Sequence, residues 1–314
     1  MKSIFFISIL CFLLLAPVYS HSADSSDVIT PQLSFPDSME SSRFGLKSYS
    51  LLTGVVGVTG LALTGGANDS YALFTPMTVF GFGTLASAFL FDLASWAGVE
   101  GDTTNIHEYK RIYAQLGYVS QNNHQDPYSD FFNYRFQFAH HNWFYKINYE
   151  HEADRNYEEI VGSVGRSIIN NEGFHFTIIP EVKHKVSLEG FSLSQAYILT
   201  ELEVNIGDFY PRIKGIYLFN QFGLGHEWFW FEGSRLGYTN EMMILGQGIR
   251  FYPSSSIELS TQYKRREDEL VGSRNWTFIH LEHSAIWSLS SFYMKLLFTH
   301  GQGYRLSMSA GVNL

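Results

Sequence analysis

The last eleven residues, Tyr304 to Leu314, alternate without a slip. Tyr304, Leu306, Met308, Ala310, Val312 and Leu314 fall on one face of an extended chain, and Arg305, Ser307, Ser309, Gly311 and Asn313 on the other. Successive side chains of a strand point to opposite sides, so this segment has one apolar wall and one wall of small or polar groups. A barrel in a bilayer needs such a strand, with its apolar side to lipid and its polar side inward.

The same rhythm extends upstream. From His107 onward the period is two, and twelve strands are predicted, near 109–120, 130–141, 142–152, 157–168, 173–185, 195–207, 210–224, 237–252, 256–266, 274–286, 290–300 and 303–314. Phe132, Tyr134, Phe136 and Phe138 oppose Asn133, Arg135 and Gln137, while Ile257, Leu259, Thr261 and Tyr263 oppose Glu258, Ser260, Gln262 and Lys264. The segments 157–168 and 210–224 alternate poorly, and Pro180 interrupts a third.

Connections give an independent test. The odd ones read as long and polar (119–129, 151–158, 185–194, 225–236, 266–273), and the even ones as short (140–142, 170–173, 207–209, 253–255, 287–290). Only the last hairpin, near Gly301, departs from this. Long outer loops and short inner turns are the arrangement of a barrel with both termini on the inner side. Aromatic clusters at Trp143-Phe-Tyr145, Trp228-Phe-Trp-Phe231 and Phe251-Tyr252 are expected in girdles at the membrane interfaces.

Residues 1–22 have the layout of a secretory signal peptide: Lys2, an apolar run from Ile4 to Ala16, and small residues around Val18 and Ser20. The sole cysteine, Cys11, lies in that run, so no disulfide or cysteine metal site is expected in the mature chain. Residues 23–42 are rich in Ser, Asp and Pro and read as a flexible lead-in. Charged residues make up 16% of the sequence, against about 25% in soluble domains, and aromatics 17%. The net charge of −9 argues against a nucleic-acid partner, which requires clustered Lys and Arg.

Residues 43–105 hold two apolar stretches that do not alternate, Tyr49–Thr64 and Tyr71–Ala97, separated by the turn-forming Gly65–Ser70. They predict a helical hairpin whose Gly54, Gly57 and Gly60 permit close helix packing. An apolar hairpin suits a charged lumen poorly. The expected role of residues 49–97 is therefore contact with the barrel or with a periplasmic or membrane partner.

Through the leader, the twelve-strand rhythm and the alternating terminal strand, residues 107–314 resemble bacterial outer-membrane β-barrel proteins as a class, porin-like but of no particular family. Leu314 stands where such chains commonly end in Phe. The resemblance implies an all-β membrane protein: a twelve-stranded antiparallel transmembrane β-barrel over 106–314, preceded by the apolar α-helical hairpin. It also implies Sec-type export, a place in the outer membrane of a Gram-negative bacterium, and contact with outer-membrane lipid and the barrel-assembly machinery. A membrane-anchored hairpin carrying a soluble β-domain is the competing architecture.

The parity opposite the apolar one predicts the lumen-lining residues: Arg111, Arg135, Lys146, Glu150, Glu181, Lys183, Glu201, Glu203, Glu258, Lys264, Arg266, His280, Glu282, Lys295 and Arg305. These either set the selectivity of a conduit or hold a narrow barrel shut. The first reading of function is a pore, or the barrel component of an export or envelope-assembly system. A structural or adhesive barrel comes second, and a lipid-modifying hydrolase third.

Catalytic and cofactor residues are not expected. Barrel hydrolases carry a His-x-Ser pair, and none of the twelve histidines has Ser two positions on. His280, Glu282 and Ser284 share one strand face, but the outer two lie about 13 Å apart. The adjacent pair His140-His141 points to opposite faces, so no metal site is expected there.

Overall fold

The computed structural model describes residues 38–65, 68–102, 112–123, 126–152, 157–170, 173–187, 190–231, 238–270, 273–289, 291–301 and 303–313. The signal-peptide and most of the lead-in expectations lie outside these residues. The chain forms two compact units, divided after Trp96.

The first unit is a hairpin of α1 (Ser38–Thr64) and α2 (Asn68–Ala97). Gly65, at the end of α1, has φ of +62°, a left-handed value that glycine adopts without steric cost. The segments Gly45–Thr64 and Leu73–Ala97 are long and apolar enough to cross a bilayer. Small residues set how closely the helices approach. A Cβ on Gly81 would lie 2.3 Å from the Gly54 backbone nitrogen, and one on Gly57 would lie 2.5 Å from the nitrogen of Thr78. Lys47 pairs with Asp92 across the hairpin, so neither charge stands alone among apolar neighbours. Gly81→Val has no flexible neighbour to displace and must part the helices. Amide exchange across 50–81 is expected to quicken at least about tenfold, with the barrel strands unchanged.

The second unit is a closed antiparallel barrel of twelve strands: β1 (Tyr113–Asn123), β2 (Asp126–His140), β3 (Trp143–Glu152), β4 (Tyr157–Asn170), β5 (Phe174–Ser187), β6 (Phe191–Asn205), β7 (Ile216–Phe231), β8 (Tyr238–Ser254), β9 (Ile257–Leu270), β10 (Ser273–Leu289), β11 (Phe292–His300) and β12 (Gly303–Asn313). Each strand pairs with its sequence neighbours. The terminal strand closes the ring on β1, from Tyr113 opposite Asn313 to Asn123 opposite Gly303. Closure removes both sheet edges, which a bilayer would leave without hydrogen-bond partners.

Outward parity carries a continuous band of exposed apolar side chains, including Leu116, Phe132, Tyr134, Ile147, Val182, Leu259, Leu296 and Met308. Such a surface belongs against lipid, and the fold is that of a transmembrane β-barrel. A soluble β-domain would turn this band inward.

Two sequence expectations need correction. First, the loops predicted to be long are mostly strand: pairing runs to Asn123 opposite Asp126, and to Leu270 opposite Ser273. Polar residues beyond the apolar band continue the ladder because water can cover both faces there. Second, β7 begins at Ile216 rather than 210. The intervening Ile206–Asp208 forms a 3-10 turn capped by Asn205, whose side chain accepts from Gly207 N at 2.9 Å. Pro211 then offers no backbone donor to a ladder.

Residues 206–215 receive the chain entering the barrel. Val99 N donates to Arg212 O, Lys214 N to Val99 O, and Asp102 N to Tyr252 O, at 2.8–2.9 Å. A Cβ on Gly101 would sit 2.6 Å from Tyr252 O and 2.7 Å from Lys214 O, so only glycine fits between them.

The barrel lumen as candidate functional site

Strand register decides which side chains enter the lumen. Directly opposed residues share a face, so Glu201 on β6, Gln221 on β7 and Gly246 on β8 lie along one inward row, with His175, Glu203, Phe219, Gly248, Gln262 and Glu282 along the next. Of the predicted lumen residues, Arg135, Lys146, Glu150, Glu181, Lys183, Glu201, Glu203, Glu258, Glu282, Lys295 and Arg305 occupy inward parity. Lys264, Arg266 and His280 lie in β9 and β10 at register positions of that parity, but their side chains are outside the described set, as is Arg111.

Near the end of the barrel that holds β1's start and β12's finish, one guanidinium gathers three carboxylates. Arg250 Nη1 stands 3.1 Å from both Glu201 Oε1 and Glu203 Oε1, and its Nε stands 3.9 Å from Glu258 Oε1. Its plane lies 4.4 Å from the centroid of Phe219, and Gln221 Nε2 donates to Glu201 at 2.6 Å. Glu201, Glu203 and Glu258 are 3%, 1% and 4% exposed, so water does not screen them. Nη1 has two N–H groups and can donate to both carboxylates, while the planar guanidinium stacks on Phe219 and turns Nε toward Glu258, contacts that a lysine ammonium would not reproduce. Arg250 was absent from the sequence-based lumen set, although it is in phase with Gly246 and Gly248, and that phase was the available signal.

Toward the other end, charges pair along the wall. Lys183 meets Glu159 at 2.8 Å, and Arg305 pairs with Glu150, which also accepts from Asn133 at 2.8 Å. Tyr197 donates to Glu181, and Gln195 to Glu227.

Between these groups lies an apolar layer the sequence reading did not foresee. Phe144, Ile179, Leu199, Met242 and Ile244 pack together, with Ala139 and Tyr197 against them. Glycines on the intervening strands make the room. Phe144 lies over Gly165 so closely that a Cβ there would fall 1.9 Å from the ring. Leu199 and Ile244 flank Gly223 in one row, and Tyr197 and Met242 flank Gly225 in the next. The aromatic clusters assigned to girdles therefore split by parity. Trp143 and Tyr145 face outward while Phe144 turns inward, and Tyr252 is buried beside the Arg250 cluster.

Nearer the end that holds both barrel termini, Tyr113 and Tyr293 stack at 4.8 Å, and Gln137 and Ile286 are almost wholly buried. Among the described residues, packed side chains thus occupy both the apolar layer and the terminus-bearing end of the lumen.

Of the three residues weighed for hydrolysis, the His280 side chain lies outside the described set, and the other two have partners of their own. Ser284 Oγ shares a hydrogen bond with Ser260 Oγ at 2.8 Å, and Glu282 accepts from Gln262 at 2.6 Å. His140 and His141 have ring centroids 4.1 Å apart, with His141 at a φ of 55°. Among the described residues, no group of three or more His, Cys, Asp or Glu is placed to hold a metal.

The fold is a transmembrane β-barrel of twelve strands closed into a ring, with packed inward side chains among its described residues. No protein-family model matches the sequence, and neither does any curated protein. Among solved structures the chain is similar to the KdgM porin in complex with disordered oligogalacturonate, at 8% identity and a TM-score of 0.42, covering 65% of this chain and 99% of that one. It is also similar to the NanC porin, at 10% identity and a TM-score of 0.43, covering 65% and 98%. The translocator domain of the autotransporter NalP from Neisseria meningitidis matches at 13% identity and a TM-score of 0.38, covering 75% and 98%. At these identities and scores the likeness assigns neither cargo nor mechanism.

Proposed function

We propose that this chain is an outer-membrane barrel that is closed at rest and serves as the barrel component of an export or envelope-assembly system. The observation that carries this reading is the packed lumen. A pore for free diffusion needs a continuous wet path, whereas here the Arg250 cluster and the apolar layer lie in series along the same interior. Passage would require the layer to part, as in hydrophobic constrictions that gate by dewetting. The exposed apolar surface of α1 and α2, including Leu52, Leu63, Leu93 and Trp96, supports a further role for residues 49–97 in lipid or against an apolar partner.

The reading is tested by planar-bilayer recording on the refolded full chain, after heat-modifiable migration has shown the barrel to be folded. Wild type is expected to be silent or to open only in brief, rare events. Steady conductance from wild type would overturn the closed-barrel reading and make the chain a constitutive pore.

A further inference from the structure

On the outward face, beside the short turn that joins β11 to β12, two imidazoles meet. His283 on β10 and His300, the last residue of β11, bring their Nε2 atoms to 3.3 Å, with ring centroids 5.4 Å apart. They are diagonal neighbours in the ladder: His283 lies directly opposite Phe298, and His300 opposite Leu281. We propose that they form a two-histidine site for a divalent transition metal of the zinc, copper or nickel class, the remaining coordination positions being filled by water.

Three features carry the assignment. The first is spacing: two imidazole nitrogens each about 2.0–2.1 Å from a tetrahedral ion stand about 3.3 Å from one another. The second is orientation. Thr261 Oγ1 lies 3.0 Å from His283 Nδ1 and can accept its proton, which leaves the Nε2 lone pair of His283 directed at His300. A hydrogen-bond acceptor on the far nitrogen is the usual support of a metal-binding histidine. The third is rigidity. The Phe298 ring lies against both imidazoles, with centroids 6.3 Å from His283 and 5.6 Å from His300 and planes within 27° of each. Both rings are thus held before an ion arrives, which lowers the ordering cost of binding. Both histidines are only half-buried, and His300 borders the short turn between β11 and β12, so an ion can reach the pair from the aqueous side of that turn. Transition metals of this class favour imidazole, and hard ions such as magnesium and calcium favour oxygen.

The bland alternative is an N–H···N hydrogen bond between the rings and nothing more. The test uses the refolded full chain in lipid nanodiscs, titrated with Cu²⁺ and followed by electron paramagnetic resonance, with Zn²⁺ binding followed by calorimetry. Wild type is expected to bind one more equivalent than His283→Ala or His300→Ala, with a two-imidazole Cu²⁺ signature that both variants lose. The remaining histidines provide the same background in all three proteins. Zn²⁺ is also expected to raise the heat-modification temperature of wild type alone, because the ion ties β10 to β11 and binds only the folded state. His300→Gln keeps a hydrogen-bonding group beside His283 and guards against loss of fold. It is expected to retain the barrel and lose the extra equivalent. Equal stoichiometry and equal spectra in wild type and all variants would overturn the site and leave the hydrogen bond alone.

Discussion

Arg250→Ala is expected to destabilise the barrel by about 3–5 kcal/mol, the range for removing one partner from a buried ion cluster. The guanidinium is the charge partner shared by Glu201, Glu203 and Glu258, each of which is almost fully buried. Its loss leaves negative charges close together with little water to screen them. It also uncovers the ring of Phe219, over which it stacks. The effect would be read as a fall in the urea midpoint of barrel unfolding in lipid vesicles, followed by tryptophan fluorescence.

Two further variants separate this account from a simple loss of side-chain volume. Arg250→Lys keeps the charge but loses the planar group that stacks on Phe219 and the Nε that faces Glu258, so an intermediate loss is expected. Arg250→Ala combined with Glu203→Gln removes one of the stranded charges and should recover part of the stability, giving a coupling energy above about 1 kcal/mol. Strict additivity of the two substitutions would show that the cluster is not held together by charge.

The barrel itself was legible in the sequence because lipid and lumen demand different chemistry. Where the two faces differ sharply, as from Tyr304 to Asn313 or from Phe132 to Phe138, parity alone gives both the strand and its orientation. Strand ends were less legible, because polar residues such as those of Arg266–Leu270 are equally at home in a loop or in a ladder extended into water. The segment 206–215 was misread for the opposite reason: Ile206, Phe209, Tyr210 and Ile213 are apolar enough for a strand, but they are buried around a turn.

The lumen was legible only in part. Charged inward positions such as Glu201 and Arg305 stand out against apolar neighbours, so the alternation reveals them. An inward phenylalanine does not stand out. Phe144 sits between Trp143 and Tyr145, and a run of three aromatics carries no parity of its own. Its direction follows from the register that sets it opposite Gly165, a relation between strands that one strand's sequence does not contain. The same holds for Met242 and Ile244, whose outward neighbours Met243 and Leu245 are equally apolar.

That apolar layer carries the second large expectation. The double variant Phe144→Ala, Met242→Ala should convert a silent barrel into one that conducts steadily. Both side chains are about 2% exposed and meet in a single cluster with Ile179, Leu199 and Ile244. Removing them deletes the contacts that close the middle of the lumen. The flanking positions cannot refill the gap, because Gly165 and Gly225 have no side chains to extend. Truncations of buried Phe and Met cost about 3–5 and 2–5 kcal/mol respectively when the cavity stays empty. This cavity lies between polar groups on both sides, Gln195 and Glu227 toward one end and Gln221 and Glu201 toward the other, so water has partners and can enter. A wetted layer joins the two polar ends into one path. Conductance should therefore appear in planar bilayers while heat-modifiable migration shows the barrel intact. Phe144→Leu, which keeps an apolar side chain over Gly165, should remain largely silent. If the double variant folds and stays silent, the closure does not lie in the apolar layer, and Arg250→Ala in the same recordings would show whether it lies in the charged cluster instead.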